Sequence, residues 1–126
     1  MVALHKNFEL AFEKLKQFVS NFDGTEVQRA GIIQAFEFTY EQCWRTLQKR
    51  SGQEGLNIAS PKKAFEYALQ SNLIPTDDET LWLKMIEHRN LTTHTYNAGL
   101  ATEIQKTISA AYVPAFEKLL ALLKKV

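Results

Sequence analysis

Arginine, asparagine, histidine and tyrosine fall within eight residues of one another, as Arg89, Asn90, His94 and Tyr96 in the segment 87–97 (EHRNLTTHTYN). Together they offer a permanent forked cation, an amide, a group that titrates near neutrality and a phenol, side chains that can hold an anion and move protons. On an ideal helix a five-residue step is about 500° of rotation, which leaves Arg89 and His94 roughly 140° apart. They converge only if the chain leaves helical geometry between them, and Thr92, Thr93 and Thr95 stand where helix propensity weakens. Such a junction puts the C-terminus of one helix, which favours cations, near the N-terminus of the next, which favours phosphate. The same residues also read as the capping of a helix end by basic and polar side chains.

Other chemistry-bearing patterns are missing. The sequence holds no Gly-rich phosphate loop, no HExxH and no G-x-S-x-G. His5, His88 and His94 are too few and too scattered for a metal site, so neither metal nor cofactor is expected. His88 reads as a surface residue beside Arg89. Glu37 and Glu41, with Arg45 four residues beyond, read as a solvated ion-pair ladder on one face of a helix, and a part for either carboxylate in the site stays open. The net charge of +1, from 15 basic and 14 acidic side chains, argues against nucleic-acid binding by bulk electrostatics but leaves room for a local basic pocket. The single Cys43 excludes an intramolecular disulfide. MVALHKNFEL carries no continuous apolar stretch of the signal-peptide kind, and no run approaches the roughly 18 apolar residues of a membrane span. A cytoplasmic protein without a membrane partner is expected.

The elements that must position these residues are helical. Leu4, Phe8, Phe12, Leu15, Val19 and Phe22 recur at steps of three and four, and Asp23-Gly24 closes that helix. A second helix is predicted from Thr25 or Glu26 to about Arg50, with Ile33, Phe36, Tyr40, Cys43, Trp44 and Leu47 as its buried stripe. Residues 51–59, with two glycines, read as a loop, after which Ser60-Pro61 starts a short helix to Leu69. Thr76 and Glu79 are spaced as a capping box for a helix through Trp82, Met85 and Ile86. Asn97 is the N-cap of a last helix reaching Leu123, in which Pro114 predicts a kink. Trp44, Trp82 and Tyr40 are expected in the core, as is the aliphatic stripe of the last helix, part of which is free to form a dimer seam. With 45% hydrophobic residues and eight Phe, residues 1–126 are expected to form a single all-α domain, a four-helix up-and-down bundle with an additional short helix.

The segment containing Arg89, His94 and Tyr96 resembles the R-x4-H-x-Y signature of HEPN proteins of the HepT type. Residues 36–44 (FEFTYEQCW), 60–65 (SPKKAF) and 81–90 (LWLKMIEHRN) resemble, in the same order, stretches of the family of nucleotidyltransferase substrate-binding proteins. The resemblance implies a homodimeric bundle acting as the toxin of a toxin–antitoxin pair. It would be a metal-independent endoribonuclease, controlled by a cognate minimal nucleotidyltransferase as antitoxin. It further implies that Arg89 and His94 are the catalytic pair and that Tyr96 accepts adenylyl groups from the partner. Asn90 would either orient the scissile phosphate or simply cap its helix.

RNA cleavage through the 2′-hydroxyl needs a base, an acid and a cation for the phosphorane charge. Arg89 suits the last role and His94 either of the others. One histidine cannot serve as both in one step, so the hypothesis requires a two-fold dimer that brings two signatures together. Tyr96, two residues from His94, is expected in the same pocket as Arg89. Two further possibilities compete: a non-catalytic, substrate-binding partner subunit that presents Tyr96 and its pocket to the nucleotidyltransferase and cleaves nothing, and a structural bundle whose signature is only a cap.

Overall fold

The computed structural model describes residues 3–125. It holds six α-helices: α1 (Lys6–Ser20), α2 (Glu26–Gln53), α3 (Pro61–Gln70), α4 (Glu79–Leu91), α5 (Ala98–Thr107) and α6 (Val113–Lys125). A π-helical turn, Ile108–Tyr112, joins α5 to α6 as one rod, so the fold is four long helical stretches plus the short α3. No strand occurs among the described residues.

Local chemistry sets several boundaries. Thr25 accepts a hydrogen bond from the Gln28 N–H at 3.2 Å to start α2, and Ser60 does the same for the Lys63 N–H, with Pro61 following it in α3. Gly24, at φ +88°, makes the reversal between α1 and α2 in a conformation that a side chain would strain. The capping box expected at Thr76 and Glu79 does not form. Residues Thr76–Asp78 instead make a 3₁₀ turn, α4 begins at Glu79 without a side-chain cap, and Asp78 pairs with Lys118 at 3.3 Å. Pro114 does not break the last helix. Its ring crowds the carbonyl four residues back, Ala110, and that residue lies within the π turn, which takes up the irregularity.

Direction follows from the pairs across the bundle. Glu9 with Lys124 and Lys16 with Glu117 (3.6 Å) run α1 antiparallel to α6. His88 with Tyr112 and Asp78 with Lys118 do the same for α4. Phe8, Phe12 and Leu15 of α1, Phe36, Tyr40 and Leu47 of α2, and Trp82 and Met85 of α4 belong to one buried core. Phe116 sits among them, its ring centroid 5.8–6.2 Å from Phe8, Phe12, Phe36 and Trp82. No described helix is long and apolar enough to cross a membrane.

Candidate functional site

The α4–α5 junction leaves α-helical geometry where the threonines stand. Residues Thr92–His94 form a 3₁₀ turn. The Thr92 hydroxyl lies 2.8 Å from the Arg89 carbonyl, that of Thr93 3.5 Å from the Asn90 carbonyl, and that of Thr95 3.1 Å from the Thr92 carbonyl. Each side chain thus competes for a carbonyl three residues back, which tightens the chain and ends α4. Asn97 then accepts the Leu100 N–H at 3.0 Å and starts α5.

Arg89 is held by two neighbours. Its Nη1 donates to Thr92 Oγ1 at 3.0 Å and lies 3.3 Å from Glu37 Oε2, while Thr92 Oγ1 is itself 3.1 Å from Glu37 Oε2. The single Thr92 proton serves either Glu37 or the Arg89 carbonyl at one time. Both partners of the ion pair are 31% exposed, so it contributes at most about 1 kcal/mol, and its main effect is to fix the direction of the guanidinium. Nε and Nη2 of Arg89 have no partner among the described residues and remain available to an anion. Tyr40 lies beneath, its phenol pushed far up by burial while the Arg89 charge pulls the other way. Partial burial works against the charge of Glu41. Hydrogen bonds from Trp44 and Arg45, with the charges of Arg45 and Arg89, outweigh it and hold the carboxyl below its usual range. The expected ladder therefore divides. Glu41 pairs with Arg45 at 3.0 Å, and Glu37 turns to Arg89.

His94 and Tyr96 form a second group. Their rings meet edge to face at 6.0 Å, both exposed, and the His94 imidazole has no hydrogen-bond partner among the described residues. No hydrogen bond or ion pair joins either to Arg89 among the described residues. Tyr96, 87% exposed, instead borders a groove of about 240 Å3 that also receives Glu26 and Arg29 from the start of α2. Asn90 is exposed, and its amide caps no helix end among the described residues. No group of three or more described His, Cys, Asp or Glu residues is placed to hold a metal ion.

The model of the family described as nucleotidyltransferase substrate binding protein-like matches residues 4–125. The chain belongs to that family. A solved crystal structure of a Thermus thermophilus protein is similar at 36% identity, covering 93% of this chain and 98% of the other, with a TM-score of 0.84. No curated protein matches.

In this member of the family, His88 departs from the surface position expected of it. It is 3% exposed, with Nδ1 2.6 Å from Tyr112 Oη and Nε2 3.3 Å from Glu103 Oε2. Burial first, then the charges of Glu87 and Glu103, drive the Tyr112 phenol far above its ordinary value. Tyr112 therefore stays protonated and shares one hydrogen bond with Nδ1, while Nε2 faces the Glu103 carboxylate. The signal in the sequence was position: His88 is three residues after Met85, on the stripe of Trp82 and Met85. Glu37 was visible as a possibility, and the pairing with Arg89 makes it the further member of the site.

Proposed function

We propose that this chain is the partner on which a nucleotidyltransferase acts, in the cytoplasm, with Tyr96 as the acceptor of the transferred nucleotidyl group. The observation that carries this is Tyr96 itself, 87% exposed at the turn before α5, in a member of the family described as nucleotidyltransferase substrate binding protein-like. In the transfer, Tyr96 Oη bonds to the α-phosphorus of ATP and the α–β bridging bond breaks. Pyrophosphate leaves, and the phenolic proton passes to solvent. The whole chain is taken as one such unit. Incubation with the cognate nucleotidyltransferase and ATP should add AMP-sized increments to the wild type and none to Tyr96→Phe. An increment that persists on Tyr96→Phe places the acceptor elsewhere.

A second activity, RNA cleavage, draws support from an oriented guanidinium at Arg89 in the last turn of α4 and an unpartnered imidazole at His94 in the 3₁₀ turn that follows. As the toxin of a pair, two copies would place their turns about a shared cleft, each His94 serving as acid or base, with Arg89 on the phosphate and Asn90 beside it. The transferred nucleotidyl group would silence that cleft. The unmodified chain should then cut single-stranded RNA without metal and run as a dimer in light scattering. Arg89→Ala and His94→Ala should each lose cutting at least about a hundredfold, the usual worth of one charge-stabilising donor and of one acid–base group respectively. A folded variant that cuts at the wild-type rate removes that residue from the mechanism.

A further inference from the structure

The groove beside Tyr96 lies where the start of α2 meets the start of α5. Its floor is apolar, made by the buried Ile33 and Ala101, with Ala30 and Ala98 beside them. Arg29 and Glu26 stand at its polar end and Tyr96 forms its open rim. Arg29 is the unusual member. Its guanidinium lies 5.5 Å from the Phe22 ring, and its Nε is buried without a hydrogen-bond partner. That Nε is closed to a ligand, but no hydrogen bond or ion pair involves the rest of the guanidinium among the described residues, so an acceptor in the groove would give Arg29 a charge-assisted partner. Neither Arg29 nor Glu26 forms an ion pair among the described residues, and both line the groove. The α2 and α5 N-termini add positive potential on either side.

These features select a class of ligand. A purely anionic ligand, such as an acidic peptide, would meet Arg29 favourably but be repelled by Glu26. A nucleoside 5′-phosphate uses every part: its phosphate on Arg29, a ribose hydroxyl or exocyclic amine donating to Glu26, and a flat base between the Tyr96 ring and the small floor residues. At about 240 Å3 the groove falls below the roughly 300–1,000 Å3 of drug-sized sites, which limits it to one nucleoside unit. We propose that this groove binds a single nucleoside 5′-phosphate group, from free nucleotide or from the group carried on Tyr96. Only the second source rests on the proposed function.

The test is a titration of the isotope-labelled full chain with AMP, adenosine and inorganic phosphate, followed by backbone amide shifts. AMP should shift amides of residues 26–33 and 95–101 saturably, with adenosine and phosphate each weaker by about tenfold, the worth of one charge-assisted hydrogen bond. Arg29→Gln should weaken AMP by about tenfold and leave adenosine nearly unchanged. Ala30→Phe, at an exposed helical position, should block both ligands, and it carries the test if Arg29→Gln misfolds. Adenylylated chain should show the same shifted amides if the tethered source is right. AMP binding without any modification of Tyr96 would end the proposed function and keep the groove. The groove is overturned if these amides stay still under both free and tethered AMP, or if phosphate alone binds as tightly as AMP.

Discussion

His88 turns its ring into the bundle one residue before Arg89 turns its guanidinium outward. The buried imidazole joins α4 to the π turn through Tyr112 and to α5 through Glu103, and so fixes the last turn of α4 from which Arg89 projects. Tyr112 is fully buried, so its hydroxyl depends on His88 for its hydrogen bond. Replacing one member strands the other, at a cost of about 1–3 kcal/mol for the unpaired group. His88→Phe and Tyr112→Phe should each lower the urea midpoint. The double variant should be less damaging than the sum of the two, by about 1 kcal/mol of coupling. Strictly additive losses would mean that the two side chains do not share a bond. The Arg89–Glu37 pair is different in kind, because two groups each 31% exposed contribute little to stability whatever they do for orientation.

At the scale of elements, what could be read in advance was what is local. Thr25, Ser60 and Asn97 each place a side-chain oxygen three residues before the N–H it accepts, and all three helix starts appear where the sequence puts them. The apolar stripes of α1 and α2 were likewise legible, since a period near 3.6 needs no knowledge of the partner helix. Thr76 failed as a cap because a 3₁₀ turn, which no spacing rule anticipates, takes its place. Pro114 announced an irregularity but not its form, a π turn completed before it. The site was legible in composition and not in arrangement. Arg89, His94 and Tyr96 are adjacent in sequence, yet Glu37 reaches Arg89 from another helix, Tyr112 reaches His88 from 24 residues away, and the Arg29 groove exists only where α2 and α5 meet. Threonine back-bonding at Thr92, Thr93 and Thr95 is the local device that ends α4 between Arg89 and His94.

For the molecule as a whole, one ring ties together the long helices. Phe116 of α6 lies within 5.8–6.2 Å of Phe8 and Phe12 of α1, Phe36 of α2 and Trp82 of α4, and it is fully buried. Truncating it removes edge and face contacts to all three neighbouring helices together, and four rings anchored on three separate rods cannot all move in to fill the space. Phe116→Ala should therefore cost about 3–5 kcal/mol, the range for a buried aromatic that leaves a cavity. Domains of this kind are stable by only about 5–15 kcal/mol, so the loss is a large share of the total. At roughly 4 °C per kcal/mol, the melting midpoint should fall by about 10–20 °C. The urea midpoint should fall with it while the slope holds steady, because the unfolded surface scarcely changes. Phe38→Ala is the matched control: the same atoms are removed from a ring 59% exposed on α2, and the cost should stay within about 0.5 kcal/mol. Equal losses for the two variants would mean that Phe116 does not hold the centre of the bundle, and that the crossing of α1, α2 and α4 at that ring is not the folded arrangement in solution.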